Sequence, residues 1–319
     1  MQSPLVSVIC VCHNQAEYIK ETVQSVLQQS YPHVELIIVD DASTDGSKDV
    51  IHALLKQHPD IQFVDFANNV GLCAAFNAGL KKAKGQYVVD LSADDVFMHH
   101  RLERQVKLFQ ELPADYGVIY TNTIIIGQKG EKLWDHAAYL KKHRLVDKMP
   151  QGDIYCDVLR KYFISPPSML VKKVVMDDIG GYDESLAYED FDFWVRSSRK
   201  WKYAYLDEAL TRVRKVKNSL SSSLYQPGDQ QLHSTYLVCR KAQSLNKNKS
   251  EDDALAERVR YEIRQAVFTN NPGEARLFYS LLKELKSASM LYKILLLVSR
   301  LKLPLATVRK IYRKLRYQR

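Results

Sequence analysis

The first two thirds of this 319-residue chain are predicted to form an α/β fold built on a mostly parallel sheet. Three observations predict it. Short apolar runs rich in β-branched residues are bounded by polar turns, as strands buried on both faces are. The intervals between the early runs carry apolar residues at helical spacing. The alternation repeats, which is the mark of consecutive right-handed βαβ units.

Each element follows in turn. Residues 5–12 (LVSVICVC) and 34–39 (VELIIV) are the first two strands, and Ile19, Val23, Val26 and Leu27 give 16–29 a helical apolar face between them. A strand at 61–66 (IQFVDF), a helix at 72–83 and a strand at 86–91 (QYVVDL) come next. Strand-like 117–127 and 168–172 and helical 190–200 extend the same sheet as a mixed one. The Ser-, Gln-, Gly- and Pro-rich stretch 217–230 (KNSLSSSLYQPGDQ) reads as a loop or linker. Residues 231–289 are polar with helical periodicity, broken by the loop NKNKSEDD and the turn NNPGE. The expected division is an α/β body over 1–220 and a helical extension over 221–319, with no internal repeat.

With 46% apolar and 26% charged residues, the composition excludes a disordered chain, a collagen-like repeat and a disulfide mini-scaffold. No run of 18 apolar residues suggests a membrane span, and MQSPLVSVICVCHN lacks the basic start and cleavage site of a signal peptide. Five scattered cysteines with neither disulfide nor zinc spacing favour a reducing, cytoplasmic setting.

The net charge of +9 has one address. Lys293, Arg300, Lys302, Arg309, Lys310, Arg313, Lys314, Arg316 and Arg319 lie within 290–319 with no acid among them, so the rest of the chain is neutral on balance. Leu291, Ile294, Leu295 and Val298, and beyond Pro304 the residues Leu305, Val308, Tyr312 and Leu315, repeat at helical spacing. Such a segment suits an anionic membrane surface, a helix packed on the body with a solvated basic face, or a phosphate backbone. The interrupted LYKILLLVSRLKLPLA run favours the membrane, and no nucleic-acid partner is expected.

Open α/β sheets bind ligands beyond the carboxyl ends of their strands, and three acidic pairs fall there. Asp40 and Asp41 follow the second strand, Asp94 and Asp95 follow the strand at 86–91, and Glu189 and Asp190 open the helical stretch at 190–200. Any one pair is equally a turn former or a helix cap. Three converging on one edge suggest chemistry. Adjacent carboxylates invite a divalent cation, which one or two of them can share with a diphosphate, and a separate carboxylate can serve as a general base. There is no GxxxxGK[ST] loop, no GxGxxG after a strand, no HExxH and no GxSxG, which disfavours P-loop NTPases, dinucleotide oxidoreductases, zincins and serine hydrolases.

The runs VSVICVCHNQAEYIKETVQSVLQQSYPHVELIIVDDASTDGS, NNVGLCAAFNAGLKKAKGQYVVDLSADDVFMHHRLERQ and GGYDESLAYEDFDFWVRS resemble the family 2 glycosyltransferases, over about residues 5–215. The resemblance implies a GT-A fold and an inverting, metal-dependent transfer from a nucleotide-sugar, most simply a UDP-sugar. It puts His13 where the family stacks an aromatic on the base, Asp41 where an acid hydrogen-bonds the base with Asp40 its neighbour, and Asn69 in the nucleoside pocket. Asp95 matches the ligand of a manganese or magnesium ion on the diphosphate, and Asp94 a contact to the ribose or the metal shell. Asp190 matches the catalytic base, with Glu189 orienting it or capping the helix.

Two departures stand out. Ser92 replaces the first acid of the Asp-x-Asp-Asp pattern many relatives carry, and Val216 stands where a histidine often helps bind metal or diphosphate. Arg214 or Lys217 is then either a donor to the diphosphate or part of a surface basic run. Tyr162, Phe163, Ser165, Pro166, Pro167 and Trp194 either stack on the acceptor or belong to core and loop. The expected acceptor is a glycan or lipid-linked glycan in bacterial cell-surface polysaccharide synthesis. Two rival readings remain. A nucleotidyltransferase would bring a Gly-rich basic phosphate loop, which HNQAEY is not. A catalytically impaired nucleotide-sugar-binding protein fits the missing histidine but has no need of Glu189 and Asp190.

Overall fold

The computed structural model describes residues 3–216, 225–228 and 230–299. Its sheet has β1 (Val6–Cys12) at the centre, parallel to β2 (Val34–Asp40) on one side and β4 (Tyr87–Ser92) on the other, with β3 (Gln62–Asp65) parallel to β2 at the edge. All seven residues of β1 are buried, which is why the run shows no polar alternation. Beyond β4 the sheet turns mixed. β8 (Leu170–Lys172) is antiparallel to both β4 and β6 (Tyr116–Ile126), and β9 (Lys202–Arg214) runs parallel to β6. The short β5 (Val96–Phe97) pairs antiparallel with β9, and β7 (Lys132–Asp135) with β6.

Helices α1 (Ile19–Leu27), α2 (Ser47–Gln57), α3 (Leu72–Leu80) and α4 (Arg101–Glu111) connect or follow the first strands, each laying an apolar face on the sheet. α3 comes closest. A Cβ on Gly79 would stand 2.5 Å from the Ile9 side chain, so only glycine permits this helix–strand approach. α5 (His136–Lys142), α6 (Tyr155–Arg160), α7 (Lys173–Ile179) and α8 (Asp190–Ser197) complete the faces. Two apolar clusters fill the two sides of the sheet.

A third cluster joins α9 (Gln230–Leu245), α10 (Lys249–Phe268), α11 (Pro272–Glu284) and α12 (Met290–Ser299) to Tyr155 and Leu159 of α6 and Phe191 and Val195 of α8. Within it the Arg258 guanidinium is 4.0 Å from the Tyr162 ring centroid and bonds Glu262 at 3.3 Å. No described helix is long and apolar enough to cross a membrane, and all five cysteines are free.

The early elements lie within a few residues of their sequence-based spans. The expected loop NKNKSEDD is shorter than its polarity suggests. Asn248 caps α10 by accepting from the Glu251 N–H at 3.1 Å, and Glu251 accepts in return from the Lys247 N–H, so the helix starts inside it. β9 went unread because its two faces mix buried Ala204, Leu210 and Thr211 with part-exposed polar residues, leaving no clean period. The division expected near 220 lies outside the described residues, as do Lys217 and the tail beyond Ser299.

Candidate active site

The pairings Cys12↔Asp40, Val11↔Ser92 and Asp40↔Asp65 bring the carboxyl ends of four parallel strands to one edge. His13 leaves β1 there, Asp41 leaves β2, and Asn69 follows β3. These three meet. His13 Nδ1 lies 2.6 Å from the Asp41 carbonyl, and Asn69 Nδ2 lies 3.3 Å from that nitrogen and 3.5 Å from the carbonyl. With Nδ1 donating to Asp41, Nε2 is free to accept from Asn14 Nδ2 at 3.2 Å, so the exposed ring is held at both nitrogens.

The Asp41 carboxylate is spoken for on both oxygens. Oδ1 accepts from the Val70 N–H at 2.6 Å and Oδ2 from the Gly71 N–H at 3.0 Å, which satisfies free donors ahead of α3. Only its remaining lone pairs are left to accept further hydrogen bonds. Asp40 is 0% exposed, and its Oδ2 accepts from the Ser43 N–H at 2.9 Å with Lys48 at 3.7 Å. It holds the turn through Oδ2, and its Oδ1 is buried without a hydrogen-bond partner. The loops after β1 and β2 are laced together by Asn14 N–H to Ser43 Oγ and Thr44 N–H to Asn14 Oδ1.

Asp94 and Asp95 occupy the turn between β4 and β5, anchored by Thr22 Oγ1 donating to the Ala93 carbonyl at 2.9 Å. Both are buried. Burial lifts Asp94 to about 6, and burial with the adjacent Asp94 charge lifts Asp95 well above the usual carboxylate range. The β5–β9 pairing brings Arg214 to this turn. Its backbone N–H donates to Asp95 Oδ1 at 2.9 Å, its Nε to the Asp94 carbonyl at 3.0 Å, Nη1 to the Gln128 carbonyl and Nη2 to Glu21. Arg214 is therefore neither a surface cation nor a free phosphate donor, and the sequence missed its role because a 119-residue separation hides the pairing. Val216 adds no ligand. Among the described residues no group of three or more His, Cys, Asp or Glu side chains is placed to hold a metal ion by itself. Two adjacent carboxyls burdened by burial fit an ion shared with a ligand's phosphates.

Glu189 and Asp190 open α8, where negative charge meets the positive end of the helix. Burial, then the neighbouring Asp190, holds the Glu189 proton tightly. Burial lifts Asp190 to about 6, against a hydrogen bond with Glu189 and with the charge of Asp90 behind it. Glu189 Oε2 and Asp190 Oδ1 are buried without a hydrogen-bond partner. Asp90, on β4, is the residue sequence reading missed. It accepts from the Tyr182 hydroxyl at 3.1 Å and carries a strongly raised proton affinity from burial and from Glu189. An acid in the middle of the apolar run QYVVDL was the available signal.

The turn that delivers these carboxyls leans on α9. The Ala187 N–H donates to Ser234 Oγ at 2.9 Å, the Tyr188 and Thr235 hydroxyls meet at 2.6 Å, and Lys241 bridges Asp183 and Asp192. The aromatics considered for the acceptor are structural instead. Phe163 and Trp194 are 1% and 2% exposed in the core, Trp194 Nε1 points at Met169 Sδ, and the Tyr162 hydroxyl contacts Tyr188. Ser165 is buried, and Pro166 and Pro167 form a short 3-10 turn.

Comparison with known proteins agrees with this geometry. The family model described as glycosyl transferase family 2 matches residues 7–176. TuaG of Bacillus subtilis (strain 168), a glycosyltransferase assigned to teichuronic acid biosynthesis, is 31% identical over 246 residues, 76% of this chain and 90% of that protein. An uncharacterized glycosyltransferase of Rickettsia prowazekii (strain Madrid E) is 31% identical over 66% of this chain, which spans only 64% of that relative's length. Among solved structures, Staphylococcus aureus TarS 1–349 in complex with UDP-GlcNAc superposes with a TM-score of 0.69 at 18% identity, covering 98% of this chain and 91% of that one. The mannosyltransferase PcManGT from Pyrobaculum calidifontis, in complex with GDP-Man and Mn2+, gives 0.62 at 18% identity, covering 99% and 85%. At these identities the structural likeness shows the fold, which is of the GT-A type.

Proposed function

The chain belongs to glycosyl transferase family 2 and is a glycosyltransferase, and from that premise we propose an inverting transfer of a sugar from a nucleotide-sugar, a UDP-sugar first, to a hydroxyl of a glycan or lipid-linked acceptor. One observation carries the reading. The carboxyl ends of β1, β2 and β4 bring His13, Asp41 and the buried pair Asp94 and Asp95 to one sheet edge, with Asn69 against the Asp41 carbonyl, and Asp190 keeps a buried oxygen without a partner.

In this reading the His13 ring stacks on the base, whose edge meets the remaining lone pairs of Asp41, and Asn69 donates to the nucleoside. Asp95, with Asp94 beside it, would hold manganese or magnesium, and a bound ion would supply positive charge against the leaving diphosphate. Asp190 accepts the proton of the acceptor hydroxyl as that oxygen bonds to the anomeric carbon. The bond from that carbon to the diphosphate oxygen breaks on the opposite face, and the nucleoside diphosphate leaves with the electron pair. A single displacement inverts the configuration. Protonated Glu189 donates to Asp190 and keeps it aimed.

A relative named for teichuronic acid biosynthesis and neighbours bound to UDP-GlcNAc or GDP-Man support a cell-surface polysaccharide acceptor and a nucleotide-sugar donor. The basic, acid-free segment 290–319 supports work at the cytoplasmic face of a membrane.

The test is thermal stabilisation by a panel of nucleoside diphosphates with and without manganese, followed by donor turnover with wild type and Asp190→Asn. A manganese-dependent rise with UDP that disappears in Asp95→Ala, and turnover lost in Asp190→Asn, are the expected results. No rise with any nucleotide overturns the donor site.

A further inference from the structure

Helix α12 is apolar on more than one side. Tyr292 is buried against the helical cluster, and Leu295, Leu296 and Val298 pack partly on it. Met290, Leu291, Ile294 and Leu297 are 70%, 58%, 50% and 52% exposed. No other large apolar side chain among the described residues exceeds 46%. At 3.6 residues per turn these four occupy an arc of about 120° on the side away from Tyr292 and Ser299. Scattered exposed apolar residues need no explanation, but the four most exposed sharing one helix face do.

The charge in this part of the sequence is one-sided. Lys293 on the helix and Lys286 before it are exposed, and residues 290–319 hold nine Lys and Arg with no acid. A second copy of this chain offers the face an apolar partner but brings the same positive charge against it. A nucleic acid offers anionic charge and no apolar bed. An anionic bilayer surface offers both, with acyl chains for the apolar side chains and headgroups for the cations. The ten residues of α12 are far too few to span a bilayer.

We propose that the Met290, Leu291, Ile294 and Leu297 face of α12 docks in the plane of an anionic lipid surface. This names the contact behind the membrane-face reading above, and it stands apart from the transfer chemistry.

The experiment is co-sedimentation of the full chain with vesicles of phosphatidylcholine alone or mixed equally with phosphatidylglycerol, comparing wild type with L291Q/I294Q/L297Q. These side chains are exposed, and an unchanged circular dichroism spectrum and melting temperature verify the variant's fold. Expected are at least tenfold stronger binding of wild type to the anionic vesicles, weakening as salt rises, and at least a fivefold loss in the triple variant. Failure of wild type to bind anionic vesicles overturns the proposal, as does undiminished binding by the folded variant. A wild-type dimer in light scattering that the triple substitution dissociates gives the face to a second copy instead. Nucleotide-induced stabilisation, measured on the same samples, reports on the donor site separately, so loss of vesicle binding with that stabilisation intact sinks only the docking face.

Discussion

The backbone N–H of Arg214 donates to the Asp95 carboxylate at 2.9 Å while its guanidinium holds the Asp94 carbonyl at 3.0 Å. One residue at the end of β9 thus fixes both halves of the acidic turn, although 119 positions separate it from Asp95. Its side chain is 2% exposed and lies 4.7 Å from the Tyr18 ring centroid, so the clasp is part of the interior. Arg214→Met keeps the backbone bond and loses the rest. We expect destabilisation of about 3 kcal/mol in urea unfolding, from several charge-assisted bonds lost together. Calorimetric titration should show nucleoside diphosphate binding at least tenfold weaker, because the turn no longer has its brace.

Asp190→Asn removes the proposed base and changes little shape. The expected outcome is a fall in kcat of about 10²- to 10⁴-fold with donor affinity nearly unchanged. In the wild type, kcat/KM should fall about tenfold per unit as pH drops below about 6, where Asp190 takes up its proton. The stability effect has the opposite sense. Because the folded affinity for the proton exceeds the unfolded one, the stability this carboxyl contributes is present at low pH and is lost as pH rises through about 6. Asp190→Asn, which never ionises, should therefore gain melting temperature over wild type at pH 8 compared with pH 5.

Burial does most to raise that proton affinity, and Asp90 on β4, which accepts from the Tyr182 hydroxyl at 3.1 Å, adds to it only where it is itself ionised. Asp90 holds its own proton tightly, so it is neutral where Asp190 titrates, and Asp90→Asn keeps an acceptor for Tyr182 without changing the charge. The acid limb of the kcat/KM profile should therefore stay near pH 6, with kcat at pH 8 retained. A limb moved to lower pH would mean that Asp90 is ionised beside Asp190.

Asp41→Ala separates binding from fold differently. It leaves the Val70 and Gly71 N–H groups without their acceptor, so we expect a loss of about 2 kcal/mol in unfolding experiments. Nucleotide-induced stabilisation should vanish as well. Asp41→Asn, with one oxygen left to accept, should recover part of the stability but not the nucleotide response.

Local chemistry decided what could be read ahead of the structure. β1, β2 and β4 announce themselves because burial leaves predominantly apolar, β-branched runs, and the acids after them follow from strand direction alone. Asp40 and Asp41 look equivalent in sequence, yet the pleat turns one inward to Ser43 and lets the other meet Val70 and Gly71. Neighbouring letters cannot convey which is which without the register. Arg214, Asp90 and the contacts of α9 depend on pairings between distant segments. Trp194 and Phe163 lie near the site in sequence yet belong to the core, the reading their apolar bulk favoured over stacking on an acceptor.

The contact of α9 with the catalytic turn yields the remaining prediction. Lys241 bonds Asp192 at 2.7 Å and also meets Asp183, tying the start of α8 to the loop that carries Tyr188, Glu189 and Asp190. Asp192 is 1% exposed and retains Arg196 at 2.6 Å, so Lys241→Met should leave the chain folded. The cost should be about 1–2 kcal/mol, as for a partly buried ion pair with a second cation in place. With the bridge acting only through the position of Asp190, the proposed mechanism requires kcat to fall severalfold with KM for the donor unchanged. Lys241→Arg, which keeps the charge, should restore most of it. Equal losses in both variants, or a rise in KM without a fall in kcat, would show that α9 shapes the binding cleft and does not position Asp190.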